Sequence, residues 1–267
     1  MTEYFDRIHE GLPIDDIEII DFHAHLGPYF NMHIPLKSAE DMIYLMDRCG
    51  INKTIVSPTP GISSDLVYGN NIMLEKISKH RGRFYGACMV NGHFPELSVD
   101  ELERCFAADK DVVLVKIHPF ITSCKLNDRR MKGIYDFASA RSLFAVVHTW
   151  LDNDNYGNQD LFAGVAKDYP DIKWLMGHSG GPWGSNHAVE IALESPNVFL
   201  DLTMSVCPAR QIELFVKEVG ADRVMFGTDN PFIDPRPQIG RVCLAEISHD
   251  DRVKIMGGNA RRYIDFG

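Results

Sequence analysis

Short apolar runs alternate with amphipathic stretches from one end of the chain to the other. Eight runs have strand length and composition: residues 17–22, 54–57, 84–90, 112–117, 144–147, 172–176, 198–202 and 224–226. Helical periodicity fills the intervals. Met42, Leu45, Met46 and Cys49 fall at i, i+3, i+4 and i+7, the apolar stripe of a helix. Ser38 and Asp41 supply a capping box at its start and Gly50 a stop at its end. Met131, Ile134, Tyr135 and Ala138 repeat that spacing, and residues 98–107 and 208–218 read as shorter helices.

A strand followed by a helix, eight times over, calls for a parallel sheet. The strand ends recur at roughly 25–35 residues, the size of one unit of a closed (β/α)8 barrel. The expectation is therefore an α/β chain folded as a single (β/α)8 TIM barrel over residues 1–267, with no composition break to mark a linker. An open doubly wound sheet normally carries a glycine-rich nucleotide fingerprint after a strand. The chain has neither that pattern nor a P-loop.

Composition narrows the functions. Apolar residues at 45% and charged residues at 24% are globular values. A formal charge of −10 argues against nucleic acid or an anionic membrane as partner. The N-terminus lacks the basic and apolar segments of a signal peptide, and no run approaches the ~18 apolar residues of a membrane span. Six dispersed cysteines without a Cys-x-x-Cys pair fit reduced thiols, most of them small core residues. These features predict a cytoplasmic protein that acts on a small molecule. A homodimer is the base-rate expectation for its assembly.

Histidine placement points to chemistry. In a barrel, residues at the C-terminal strand ends converge on one mouth. His23 and His25 close the first run, on the same face of an extended chain. Lys116 lies in the fourth strand, within Val115-Lys116-Ile117-His118-Pro119; His148 ends the fifth, His178 the sixth, and Asp229 follows the eighth. Four of the eleven histidines thus sit at strand ends. Neutral imidazoles and a carboxylate form a donor set for a divalent cation. His118 is a supporting residue at most. A buried lysine such as Lys116 is costly unless it has a partner or a task.

The chain here resembles the amidohydrolase superfamily, in the branch that includes aminocarboxymuconate-semialdehyde decarboxylase and related proteins. The matching pieces are Asp21-Phe22-His23-Ala24-His25, Val115-Lys116-Ile117-His118-Pro119, Val147-His148, Gly177-His178-Ser179-Gly180-Gly181, Phe226-Gly227-Thr228-Asp229-Asn230-Pro231 and Gly257-Gly258-Asn259-Ala260. The resemblance implies a metal-dependent barrel in which His23, His25, His148 and Asp229 bind one divalent metal. It implies zinc first, while such ligands also accept Mn2+, Fe2+ or Co2+. It assigns His178 to acid/base or carbonyl-polarising work and Asp229 to accepting a proton from metal-bound water. A binuclear arrangement, with His178 on a second ion and a carboxylated Lys116 as bridge, ranks below the mononuclear one. An unmodified Lys116 would instead receive a substrate carboxylate or a metal-bound intermediate.

Two reactions use these ligands. Hydrolysis of a lactone, ester or amide of a small carboxylate by metal-activated water ranks first. Non-oxidative decarboxylation of a small unsaturated or aromatic acid ranks second. Candidate pocket walls are Tyr29, Phe30 and His33 in the 26–37 loop, Trp150 and the 152–159 segment, Trp183 and Phe232. Arg210 and Arg236 are candidate carboxylate receivers, with surface ion pairs as their alternative. A remote third reading takes Gly177-His178-Ser179-Gly180-Gly181 as a nucleophile elbow, with Ser179, an aspartate (Asp201 or Asp229) and His249 as a triad. It leaves His23, His25 and His148 without a role.

Overall fold

The computed structural model describes residues 3–35, 38–150 and 154–267. Positions 36–37 and 151–153 lie outside the described residues, and with them Lys37 and Asp152 of the two loops assigned above to the pocket. Eight parallel strands lie in sequence order: β1 Ile19–Leu26, β2 Ile51–Pro58, β3 Phe84–Met89, β4 Val112–Ile117, β5 Phe144–His148, β6 Lys173–Gly177, β7 Val198–Asp201 and β8 Val224–Met225. Backbone bonds close the circle. Phe22 N donates to Phe226 O at 2.9 Å, Asp229 N to His23 O at 2.8 Å and His25 N to Asn230 O at 2.7 Å. The expected TIM barrel is the observed fold.

Alternation along each strand divides the core in two. Ile20, Phe22, Ile55, Tyr85, Leu114, Phe144, Val146, Leu175, Phe199 and Met225 fill the barrel, and the C-terminal Ala260, Ile264 and Phe266 plug its floor. Tyr85 Oη fastens that plug by donating to Phe266 O at 2.5 Å. The opposite strand faces, such as Ile19, Val56, Val115 and Val147, pack under the helices. Above the apolar floor the same inward rows turn polar: Lys116 follows Leu114, His148 follows Val146, and Asp201 follows Phe199.

The helix Ala39–Cys49 carries the predicted capping box, and Gly50 ends it at φ 82°. Only a residue free of Cβ strain suits that left-handed stop. Helices Pro95–Ala108 and Lys132–Ala140 stand near the expected spans. The last predicted helix starts later than expected, as Gln211–Glu218, because Arg210 at φ 59° breaks the run before it. All six cysteines are free thiols, and five of them are buried.

Candidate metal centre

The first strand differs from its reading in the sequence, and the difference builds the site. Period-2 alternation stops at Phe22, yet β1 continues to Leu26 with every residue buried. The register against β2 slips between Asp21 and Ala24. One extra residue in a strand is a bulge, which rotates the residues beyond it onto the other face. Phe22 faces the barrel interior, and His23 and His25 reach it too, while Ala24 and Leu26 turn to the helices. The carboxylate of Asp21 stabilises this irregularity. It accepts from His23 N at 3.2 Å, from Thr228 N at 3.0 Å and from Thr228 Oγ1 at 2.5 Å, tying β1 to the turn that carries Asp229. Burial raises its pKa to about 7, against the pull of those donors.

Asp201, at the end of β7, organises the centre. It is fully buried; Oδ2 accepts from His23 Nδ1 at 2.7 Å and from His178 N at 3.0 Å, and Oδ1 from Thr203 N at 3.0 Å. Burial pushes its pKa up, but His23, His178 and the donated hydrogen bonds outweigh that and hold it at about 2. An ionised acceptor requires the hydrogen of His23 on Nδ1, which leaves the Nε2 lone pair facing the interior. Gly227 makes room for this contact. A Cβ there would fall 2.1 Å from Thr203 Oγ1 and 2.8 Å from both Asp201 Oδ1 and His23 Cβ.

The same logic fixes the other rings. His178 Nδ1 lies 3.0 Å from Thr203 O, which only accepts, so His178 carries its hydrogen there. Burial lowers the His178 pKa to about 4 and keeps the ring neutral. Its Nε2 then accepts from His148 Nδ1 at 3.0 Å, and the His148 hydrogen is spent on that bond. The free lone pair of His148 is left on Nε2. His178 and Asp229 both hold the left-handed backbone, at φ 63° each, a conformation that concentrates at functional sites.

The donors fit a divalent cation. One ligand atom each from His23, His178 and Asp229 lies within 4.8 Å of the others, a group that includes neither His25 nor His148 of the expected ligand set. His25 Nε2 is 2.9 Å from Asp229 Oδ1, yet Asp229 Oδ1 and His25 Nδ1 are buried without a hydrogen-bond partner. Burial penalises the Asp229 carboxylate, but the surrounding imidazoles carry its pKa well below the usual range. A buried, ionised and under-bonded oxygen among neutral imidazoles suits a metal ion. Lys116 is brought to the same point. Its amine is fully buried, 2.5 Å from His23 Nε2, and makes no carboxylate ion pair among the described residues. Burial lowers its pKa to about 8.

A cavity of about 280 Å³ opens above this centre. His25, His118, His148, His178 and Asp229 form one side; Tyr29, Met32, Ile62, Phe232 and Ile233 form an apolar wall, with Ser205 at the rim. Tyr29 and Phe232 are therefore pocket walls as expected, in edge contact at 5.0 Å. Trp150 stands edge-on to His178 at 5.2 Å. Phe30 and Trp183 are not walls: they are 63% and 86% exposed. His33 is exposed as well and does not line the cavity. Arg210 and Arg236 pair with Glu246 and Asp234 at the surface. The triad reading is corrected, because Ser179 is fully buried and donates to Asp201 O at 2.8 Å, while His249 lies 3.3 Å from Tyr4 Oη. Asp21, Ser205 and the carboxylate role of Asp201 toward His23 escaped the sequence reading. Only Asp201, acidic at the end of an apolar run, left a signal that could have found it.

The model of the amidohydrolase family matches residues 20–266. The chain belongs to that family. As an amidohydrolase it is an enzyme of a metal-dependent barrel superfamily. Among curated relatives, it is 23% identical over 243 residues to a gamma-resorcylate decarboxylase of Rhodococcus jostii (strain RHA1), covering 72% of this chain and 73% of that one. It is 24% identical over 281 residues to a gamma-resorcylate decarboxylase of Polaromonas sp. (strain JS666), covering 82% and 85%. The solved dihydroxybenzoic acid decarboxylase of Polaromonas sp. JS666, with bound manganese and the inhibitor 2-nitroresorcinol, shares the fold. It superposes with a TM-score of 0.72 at 20% identity over 94% of this amidohydrolase and 97% of that chain.

Proposed function

We propose that this amidohydrolase is a metal-dependent, non-oxidative decarboxylase of a small hydroxylated aromatic acid. The observation that carries the reading is its likeness to two gamma-resorcylate decarboxylases over most of their length. That likeness supports loss of carbon dioxide over the hydrolysis ranked first from the sequence. The cavity agrees in size and walls: about 280 Å³, flanked by Tyr29 and Phe232, suits one substituted ring.

His23 through Nε2, His25, His148 through Nε2 and Asp229 would hold one divalent ion; manganese bound in a solved neighbour makes it a candidate beside zinc. Such an ion would supply a Lewis-acid anchor for the substrate carboxylate. The chain's own residues do the rest. The apolar wall excludes water and stacks the ring. Asp201 and Thr203 fix the tautomers of His23 and His178. Decarboxylation needs one proton delivered to the ring carbon as the C–C bond breaks; its electron pair restores the aromatic ring and carbon dioxide leaves. Asp229, ionised and lining the cavity, would take a proton from a substrate hydroxyl or from water and pass it to that carbon, with neutral His178 behind it.

The test is a panel of 2,6-dihydroxybenzoate, 5-carboxyvanillate, lactones and amides, assayed with chelated and metal-reloaded enzyme for carbon dioxide and for new acid. Carbon dioxide from an aromatic acid, only with metal, is the expected result. Acid release from a lactone or amide without decarboxylation overturns the proposal.

A further inference from the structure

One polar group of the cavity has no task in this scheme. His118 continues the inward row Leu114, Lys116 and stands just past the end of β4. Its surroundings immobilise it. The ring stacks on His148 at 4.1 Å and 15°, and its Nδ1 accepts from Ile121 N at 3.4 Å. Its carbonyl accepts from Thr122 N at 3.2 Å and Thr122 Oγ1 at 3.0 Å, and Pro119 follows. A neutral imidazole that accepts at Nδ1 carries its hydrogen on Nε2. That Nε2 has no hydrogen-bond partner among the described residues, and the ring lines the cavity. No lysine or arginine lines the cavity among those residues, and the other hydroxyls on its wall without a hydrogen-bond partner there are those of Tyr29 and Ser205.

We propose that His118 is a specificity-determining residue whose Nε2–H donates to a hydroxyl or phenolate oxygen on the substrate ring, leaving the carboxylate to the metal side. The inference rests on the decarboxylase reading and adds what that reading lacks, a group that distinguishes an oxygenated ring from a bare one. A fixed N–H facing an apolar-walled cavity is satisfied when the ligand brings an acceptor and stranded when it does not. Sites of that kind discriminate against analogues lacking the oxygen. A cationic receiver would draw the carboxylate instead, and the cavity wall offers none among the described residues.

The experiment measures calorimetric binding of 2,6-dihydroxybenzoate and of benzoate to the Mn2+-loaded protein, beside Mn2+ affinity itself. Wild type is compared with His118→Phe and His118→Leu, which remove the donor, and with His118→Gln, which returns one. Dihydroxybenzoate affinity is expected to fall on the order of tenfold in His118→Phe and His118→Leu and to recover in His118→Gln. Benzoate and Mn2+ affinities should stay within about twofold, inside the scatter of a surface-type change. Unchanged dihydroxybenzoate binding in the donorless variants overturns the proposal while sparing the decarboxylase reading. Parallel loss of Mn2+ overturns it too, by making His118 a prop for His148. Failure of the loaded wild type to bind either acid removes both readings.

Discussion

Replacing Asp201 by asparagine isolates the carboxylate that aims His23. In the wild type its two oxygens accept three hydrogen bonds, from His23 Nδ1 at 2.7 Å, His178 N at 3.0 Å and Thr203 N at 3.0 Å. The amide oxygen of Asp201→Asn can keep the first two if it takes the Oδ2 position. The NH2 group then confronts Thr203 N–H, donor against donor, which costs about 1–3 kcal/mol of stability. His23 also loses a full negative charge 2.7 Å from Nδ1, so its Nε2 becomes a weaker donor to a metal. Outer carboxylates of this kind are worth about 10–100-fold in metal affinity, or about 1.4–2.7 kcal/mol. The assay is Mn2+ titration of chelator-stripped protein, paired with thermal unfolding of the stripped form. The nitrogen-15 shifts of His23 report its tautomer in the same samples. A variant that binds Mn2+ within twofold of wild type, with the His23 hydrogen still on Nδ1, would refute the role assigned to Asp201.

Gly227→Ala brings a methyl within 2.1 Å of Thr203 Oγ1; the expected outcome is a loss of about 1–3 kcal/mol by overpacking, read by urea unfolding, with weaker metal binding. Ser179→Ala should retain most of the activity and lose about 1 kcal/mol of stability, because the hydroxyl serves only the Asp201 carbonyl; abolished turnover in a folded variant would contradict this. Burial raises the Cys49 and Cys243 thiols to about 11, so at pH 8 both stay protonated as well as covered. Native alkylation followed by mass spectrometry should therefore mark the exposed Cys207 first, and equal labelling of Cys49 or Cys243 would show that the barrel opens.

Much of this molecule was legible in the sequence because the barrel repeats one rule. Each apolar run is a strand, and the polar residue at its end faces the mouth. That rule located His148, Asp229 and Lys116 without tertiary information. The His23 pair was found for an incomplete reason, since the strand does not end at Phe22 but bulges there, and bulges leave no periodic trace. Asp201 sits at a strand end like the histidines. An acidic residue after an apolar run also looks like an ordinary turn former, so its partner 178 positions away was invisible. The apolar wall mixes Met32, Ile62 and Ile233 from separate loops, whose paths depend on packing rather than on local pattern. The left-handed backbone at His178 and Asp229 is likewise set by tertiary bonds, since neither residue type demands it.

A crystal structure of the protein loaded with Mn2+ or Zn2+ tests the ligand set most directly. The predicted map holds one ion bonded to His23 Nε2, His25, His148 Nε2 and Asp229. His178 stays outside the coordination sphere on its Thr203 bond, and the Lys116 amine bears no added density. Two ions bridged by a carboxylated Lys116, or an ion bound by His178 while His148 stands off, would contradict it.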